Sequence, residues 1–223
     1  HHQKGAAVKT RDRILAKSLE LFNEQGERLV STNHIAAALR MSPGNLYYHF
    51  PNKDAIIFEL FRRYTAQMGQ TLMLPEDRQL TQADKINLFE QLLSSLWQYR
   101  FLHRDMTHLL SDNGEMRDSY RLFARGMMTS VHHIYQLLIE SGVIEATEDE
   151  IGALLVNIWI VSTSWVNFLS TTGFFNFSEP MTEGMLRQGI YQVICLEAPY
   201  LRGEALEGLA DLKARYGVAL RPG

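Results

Sequence analysis

Residues 42–50 have the sequence Ser-Pro-Gly-Asn-Leu-Tyr-Tyr-His-Phe and are followed directly by Pro51. Ser42 can cap a helix, and a proline suits the first helical position because it has no N–H group to leave unpaired. Pro51 disfavours helical geometry in the residue before it, so the helix should end by Phe50. The stretch therefore predicts a short helix with a sharp boundary at each end.

The outer face of this helix is suited to DNA. At 100° per residue, Leu46 and Phe50 share one side of the helix, whereas Gly44 and Tyr48 lie on the opposite side. Asn45 lies beside them and can bond an adenine edge, and a glycine lets the backbone approach a base pair closely. The pattern favours a DNA-reading helix over the alternative of a surface helix with half-buried tyrosines.

Two further helices are predicted upstream. The first carries apolar residues at spacings of four and three and ends at Gly26, which can adopt a helix-ending conformation. The second begins at Ser31 or Thr32, and a break of three residues separates it from the helix of residues 42–50. Two helices joined by such a short break are typical of a helix-turn-helix.

Four segments follow one another in a nearly gap-free arrangement. They are Lys-Thr-Arg-Asp-Arg-Ile-Leu from residue 9, Leu-Phe-Asn-Glu-Gln-Gly from residue 21, Ser-Thr-Asn-His-Ile-Ala from residue 31 and Ser-Pro-Gly-Asn-Leu-Tyr-Tyr-His-Phe-Pro-Asn-Lys from residue 42. With these segments, residues 9–64 resemble the DNA-binding domain of the TetR family of bacterial transcription regulators. The resemblance implies an all-helical homodimer that binds a palindromic DNA operator and releases it when a small molecule enters the C-terminal domain.

The resemblance also assigns DNA contacts to individual positions. It implies phosphate contacts at Thr32, Ser42, Tyr48, His49 and Lys53, and base contacts at Gly44, Asn45 and Tyr47. The chain departs from the family pattern at two places. Pro43, which belongs to the same DNA-facing set, replaces a lysine that is common in relatives, and Arg40 replaces the usual glycine at the end of the second helix. We expect Arg40 either to adopt a strained left-handed backbone or to mark a different turn.

Charge and pattern divide the chain into an N-terminal and a C-terminal part. Residues 1–70 carry ten Lys/Arg and six Asp/Glu, whereas the whole chain has a net charge of −3. A basic N-terminal part fits a local phosphate footprint. The sequence predicts an all-α fold with a three-helix helix-turn-helix domain at 9–52, a connecting helix at 53–70 and a larger helical effector-binding and dimerisation domain at 71–217.

Residues 151–178 contain no charged side chain. The polar residues in the middle of this stretch and the acidic cluster before it argue against a membrane span. A capping-box pattern at residues 147–150 predicts the start of this helix, and Ser178-Glu179-Pro180 predicts the start of the next. By the family resemblance these two helices form the dimer interface, which we assign to Ile158, Val161, Trp165, Leu169, Leu186, Ile190 and Val193.

A small-molecule effector is expected in the C-terminal domain. A set of leucine, aromatic and methionine side chains suits a mostly apolar ligand, although such residues are also common in plain cores. The set comprises Leu92, Leu96, Trp97, Phe101, Met106, Leu109, Tyr120, Phe123, Met127 and Trp159. The runs at residues 99–102 and 190–193 resemble a branch of the family that includes regulators of polyester-storage and fatty-acid metabolism. This resemblance indicates a fatty-acyl effector.

Other classes of function find little support in the sequence. The chain has no phosphate-binding glycine loop, no metalloprotease histidine pair and no nucleophile elbow, so we expect no catalytic residue, metal or cofactor. Its single cysteine, Cys195, and the absence of a signal peptide lead us to expect a cytoplasmic protein. His1 and His2 resemble the remnant of a purification tag. The alternatives left open are a ligand-blind or architectural DNA-binding protein and, more remotely, a helical carrier or enzyme.

Overall fold

The computed structural model describes residues 2–174 and 182–217, with side chains described from residue 9 onward except that of Glu183. Within these residues the ordered elements are helices, and the chain forms a single isolated antiparallel bridge, between Ile144 and Leu201. The predicted all-α fold is confirmed. The predicted helix start at residues 178–180 lies outside the described residues.

The N-terminal part contains four helices and one short 3-10 helix. They are α1 (His2–Gln25), the 3-10 helix Glu27–Leu29, α2 (Thr32–Ala38), α3 (Pro43–His49) and α4 (Lys53–Thr71). One face of α4 is buried through Ile57, Leu60, Phe61, Tyr64 and Met68, as the spacing of these residues predicts. The ring of Tyr64 lies 5.7 Å from that of Phe123 on a later helix, so α4 joins the two parts of the chain.

The C-terminal part contains eight helices and one further 3-10 helix among its described residues, 72–174 and 182–217. They are α5 (Gln82–Gln98), α6 (Arg100–Arg104), α7 (Met106–Asp112), α8 (Gly114–Glu140), α9 (Glu148–Thr171), α10 (Glu183–Glu197), the 3-10 helix Ala198–Tyr200, α11 (Gly203–Glu207) and α12 (Leu209–Tyr216). The sequence predicts one helix around residues 104–110, which corresponds to α7, and one at 203–216, which is divided into α11 and α12. Asp105, with φ −123° and ψ 24°, separates α6 from α7, and Gly208 separates α11 from α12.

Helix α9 starts where the sequence predicts. The hydroxyl oxygen of Thr147 accepts a hydrogen bond from the Glu150 N–H at 3.3 Å, and Glu150 Oε2 accepts one from the Thr147 N–H at 2.8 Å. By length and composition alone α9 could cross a membrane, a property that it shares with core helices of soluble proteins. Its placement between α8 and α10 is that of a helix packed in a bundle.

A buried polar triad holds three helices of the C-terminal part together. Lys85 on α5 forms an ion pair with Glu197 at the end of α10, and the Tyr135 hydroxyl on α8 donates to the same carboxylate. The side chains of Lys85 and Glu197 are fully buried. Burial and the neighbouring Glu197 raise the pKa of Tyr135 well above its usual value, so this tyrosine stays a neutral donor.

The end of α1 is bonded directly to the C-terminal part. The side-chain N–H of Asn23 donates to the Gln98 carbonyl at 2.8 Å, and Asn23 Oδ1 accepts from the Phe101 N–H at 3.1 Å. Arg28 approaches Asp105 to 3.6 Å at the same junction. These contacts join α5, α6 and the residue between α6 and α7 to the chain segment that precedes α2.

Candidate nucleic-acid interface

Helix α3 begins and ends as the sequence predicts. The Ser42 hydroxyl accepts a hydrogen bond from the Asn45 N–H at 3.2 Å, and Pro43 occupies the first turn. Phe50 leaves the helix in an extended conformation. Leu46 and Phe50 are buried against the N-terminal core, which fixes the direction in which α3 presents its other side.

The other side of α3 faces solvent. Gly44, Asn45 and Tyr47 are exposed, and Tyr48 is 81% exposed, which is unusual for a large aromatic side chain. His49 is half-buried, with its ring 5.2 Å from that of Tyr48 in an edge-on arrangement. The structure thus brings an amide, two phenols and bare backbone together on one unobstructed surface.

Helix α2 supports this surface. The Thr32 hydroxyl lies 3.0 Å from the Tyr47 hydroxyl, so a predicted phosphate contact is bonded to a predicted base contact. Ser31 caps α2 by accepting from the His34 N–H at 3.2 Å, and His34 Nδ1 accepts from the Ser31 N–H at 3.2 Å. Sequence reasoning missed this role of His34, although its place three residues after the cap is where a capping box has its second side chain.

Arg40 carries the strained backbone that the sequence leads us to expect. Its φ is 54°, and it is the one non-glycine residue with a positive φ among those that the structure describes. The left-handed conformation costs an L-residue on the order of 1 kcal/mol. The turn between α2 and α3 therefore carries a left-handed arginine at some cost in stability.

Lys53, the first residue of α4, takes a position that the sequence does not reveal. Its ammonium group donates to the Glu27 carbonyl at 2.8 Å and lies 3.1 Å from Glu27 Oε2. Glu27 is 26 positions away in sequence, so no local pattern signals this pair. In this structure Lys53, an expected phosphate contact, is therefore half-buried and bonded to another part of the protein.

Lys53 also borders two clefts. The α3-side cleft is lined by Lys53 and by Arg28, Leu29, Val30, Ser31, Thr32, His34, Tyr47, Pro51 and Asn52. The junction cleft, with a volume of about 330 Å³, lies between the two parts of the chain and is lined by Lys53 and by Glu27, Arg28, Asp54, Ile57, His108, Leu109, Asp112, Asn113 and Met116.

The residues predicted to line an effector pocket are packed in the core. Nine of them belong to the main core or pack against it: Leu92, Leu96, Phe101, Met106, Leu109, Tyr120, Phe123, Met127 and Trp159. Trp97 packs in a second, smaller cluster with Trp165 and Leu169. Leu109 also lines the junction cleft. A ligand at the predicted place would have to separate side chains that contact one another here.

Five of the seven residues predicted for the dimer surface are buried in the subunit core, so the prediction that they contact a second copy stays untested. Ile158, Trp165, Leu169, Ile190 and Val193 are buried within the subunit, and only Val161 and Leu186 are partly exposed. Because α9 is apolar on every side, its sequence does not tell which face packs inward. The structure turns Trp165 and Leu169 inward and leaves outside a set of side chains that we call the α9 stripe: Ala153, Val156, Ile160, Ser164 and Phe168.

A helix-turn-helix with an exposed second helix defines a class of DNA-binding proteins, and comparison with known proteins gives the family. The model "Bacterial regulatory proteins, tetR family" matches residues 14–60, and the TetR model "Bacterial transcriptional repressor" matches residues 63–209, more than half of the chain. The chain therefore belongs to the TetR family of bacterial transcription regulators, which bind DNA and are not enzymes.

Individual relatives agree with this assignment. A TetR-family transcriptional regulator from Marinobacter aquaeolei VT8 has a crystal structure that is 43% identical in sequence, with a TM-score of 0.84 over 93% of this chain and 98% of that one. The probable HTH-type transcriptional regulator YttP of Bacillus subtilis is 26% identical over 138 residues, 60% of this chain and 65% of YttP. The HTH-type transcriptional regulator UidR of Escherichia coli is 43% identical over 51 residues, 23% of this chain and 26% of UidR. The chain thus matches less than two thirds of the length of these two curated relatives.

Proposed function

We propose that this protein is a ligand-responsive repressor that binds a palindromic operator as a homodimer in the cytoplasm. The observation that carries the proposal is the exposed face of α3, where Gly44, Asn45, Tyr47 and Tyr48 lie together beside Thr32. In a major groove, Asn45 and Tyr47 would bond base edges while Ser42, Thr32 and the Tyr48 hydroxyl would hold the phosphates. The family model that matches residues 63–209 describes a repressor, which supports repression rather than activation.

A dimer is needed for specific reading. One helix of seven residues contacts few base pairs, whereas two such helices about 34–36 Å apart read both halves of a palindrome. The α9 stripe supports the dimer, because Val156, Ile160 and Phe168 are large apolar side chains left exposed along one line of the helix. A second copy that packs on this stripe would form a two-fold interface.

The effector would act through α4. The Phe61 and Tyr64 rings of α4 lie 6.4 Å and 5.7 Å from the ring of Phe123, which is one of the predicted pocket residues. A ligand that separates these rings would move α4, and α4 begins only four residues after the end of α3. The apolar and aromatic character of this core fits a fatty-acyl chain, the effector class that the branch resemblance indicates.

Selection of bound sequences from a random duplex library at near-physiological salt tests the proposal. We expect an enriched palindrome, and Asn45→Ala should cost about 1–3 kcal/mol on that palindrome and little on scrambled DNA. The change removes a side chain and leaves the backbone N–H that caps on Ser42 in place. Equal losses on both duplexes would contradict a base-reading role for Asn45.

The same titration separates the ligand-responsive repressor from a ligand-blind DNA-binding protein. A long-chain fatty acid and its coenzyme A thioester are added to the complex with the selected palindrome. Release of DNA by either compound supports the fatty-acyl effector. Release by neither compound, with specific binding intact, contradicts that effector class. An absence of any enriched sequence would contradict operator binding itself and would favour the remote alternative of a carrier.

A further inference from the structure

Glu27 is a buried carboxylate at the junction between the two parts of the chain. Its side chain is 4% exposed, whereas the side chain of Lys53 is 28% exposed. Burial of a carboxylate without a counter-charge is unfavourable, and Lys53 supplies that charge with its ammonium 3.1 Å from Oε2. The second oxygen, Oε1, is buried and has no hydrogen-bond partner among the described residues. Glu27 therefore binds Lys53 with one oxygen and leaves the other toward the junction cleft.

Other charged groups lie near Glu27, among them the Arg104 guanidinium, which packs beside Gly26. His108 Nε2 on α7 is 3.8 Å from Oε1, and its other ring nitrogen is 3.6 Å from Asp112. Arg28 lies 3.6 Å from Asp105. Lys53 approaches the Glu27 carboxylate to 3.1 Å, more closely than His108 does at 3.8 Å, and His108 faces the oxygen that Lys53 does not bind.

Lys53 also has a second place for its charge. It lines the α3-side cleft together with Thr32 and Tyr47, two of the proposed DNA contacts. The flexible stem of a lysine lets its ammonium turn between a carboxylate and a phosphate, and both acceptors form charge-assisted hydrogen bonds with it. Binding of Lys53 to one acceptor therefore weakens its binding to the other.

We propose that Glu27 is a positioning residue for DNA binding, which draws Lys53 into the junction and so limits the charge that Lys53 offers to a DNA phosphate. The inference rests on the proposed function, in which Lys53 contacts the operator backbone. His108 belongs to α7 and faces the same carboxylate. Glu27 therefore lies between the C-terminal part of the protein and Lys53, the proposed phosphate contact.

Glu27→Gln in the full-length protein tests the inference. The change keeps the size of the side chain and the backbone carbonyl that also accepts from Lys53, and it removes the negative charge. We expect tighter binding to the selected duplex and to scrambled DNA alike. The slope of log K against log salt should become steeper by about one unit, because one more phosphate is neutralised.

Two controls show whether the effect passes through Lys53. Glu24→Gln removes an equal charge from an exposed glutamate one turn earlier, and its effect on the slope should be much smaller. In a Lys53→Ala background, Glu27→Gln should leave the slope unchanged. Glu27→Asp keeps the charge on a shorter side chain and should give a slope between those of the parent protein and Glu27→Gln. This variant provides a second test if Glu27→Gln fails to fold.

The outcomes separate this inference from the proposed function. An equal steepening in the Lys53→Ala background would show that Glu27 acts only as a nearby negative charge and would overturn the inference alone. Weaker DNA binding by folded Glu27→Gln protein would overturn it as well, because Glu27 would then hold Lys53 in its DNA-binding position. If folded Glu27→Gln protein has the same slope as the parent protein, neutralising Glu27 frees no phosphate contact and the inference fails, while enrichment of a palindrome still supports the operator-binding function.

Discussion

The side-chain hydroxyl groups of Thr32 and Tyr47 lie 3.0 Å apart, and this contact ties the first turn of α2 to the exposed face of α3. Thr32 is a proposed phosphate contact, and Tyr47 is a proposed base contact. Because each hydroxyl orients the other, the proposed phosphate contact and the proposed base contact share one hydrogen bond. The two residues should therefore act as a unit.

A double-mutant cycle on the selected palindrome tests this coupling. Tyr47→Phe and Thr32→Val each remove one hydroxyl and keep the rest of the side chain, so each single change breaks the same bond. We expect the double variant to lose less than the sum of the single losses, with a coupling of about 0.5–1.5 kcal/mol. The control cycle pairs Thr32→Val with Tyr48→Phe, and these losses should add. Additive losses in both cycles would contradict the coupling.

Local features of this interface could be predicted from the sequence, and distant contacts could not. The cap of Ser42 on the Asn45 N–H depends on residues three positions apart, and such patterns are visible in a sequence. The contacts of Thr32 with Tyr47 and of Lys53 with Glu27 join residues 15 and 26 positions apart. They depend on how the helices pack, which the spacing of apolar residues constrains only loosely.

The C-terminal part shows a different limit. Helix α9 is apolar all round, so its periodicity does not separate the face that packs inside the subunit from the face left outside. Trp165 is buried and Ile160 is exposed, although both are large apolar residues. In the same way, a tight core and a ligand pocket are both rich in aromatic and methionine residues, so composition does not distinguish them. The structure packs the predicted set in the core.

Replacement of Arg40 by glycine should give a more stable protein than replacement by alanine. The residue has a φ of 54°, a conformation that glycine adopts without steric strain. Arg40→Gly should therefore raise the free energy of unfolding by about 1 kcal/mol relative to Arg40→Ala, which keeps the strain and also lacks the charge. Urea denaturation of both variants measures the difference. Equal stabilities of the glycine and alanine variants would contradict a strain cost at this turn.

Charge on the α9 stripe should prevent dimer formation. Ile160 is 54% exposed in the subunit, so Ile160→Glu should be tolerated by the monomer fold and should be unfavourable at an apolar interface. We expect monomers by light scattering at concentrations where the parent protein is dimeric. Leu122→Glu on α8, at a site that is 73% exposed and outside the stripe, is the matched control and should remain dimeric. A dimer that survives Ile160→Glu and Phe168→Glu would place the interface elsewhere.

Removal of one member of the buried triad should be costly. Lys85→Met leaves the Glu197 carboxylate buried with the Tyr135 hydroxyl as its remaining partner, and we expect a loss of about 3–5 kcal/mol in the free energy of unfolding. Glu197→Gln in the same chain removes the unpaired charge and keeps an oxygen that accepts from Tyr135, so the double variant should recover much of the loss. Denaturation of the two variants measures this recovery. A double variant as unstable as Lys85→Met would contradict charge burial as the cause.

Stability should also depend on pH through His103. Its side chain is bonded to the Tyr64 hydroxyl at 2.8 Å, and burial lowers the pKa of His103 from 6.5 to about 4. In the unfolded chain the pKa is about 6.5, so between these values the unfolded state binds more protons than the folded state. The stabilisation that depends on neutral His103 is fully present above the unfolded pKa of about 6.5 and is lost as the pH falls from about 6.5 to about 4.

Urea denaturation between about pH 4.5 and pH 7.5 measures this dependence. His103→Gln removes the titrating group and keeps a side chain that can hydrogen-bond to Tyr64, so the free energy of unfolding should vary much less with pH in this variant. His133→Gln, at an exposed histidine on α8, is the matched control and should follow the parent protein. If the His103→Gln variant loses stability toward acid as steeply as the parent, the acid sensitivity arises from other groups, and burial of neutral His103 beside α4 does not control it.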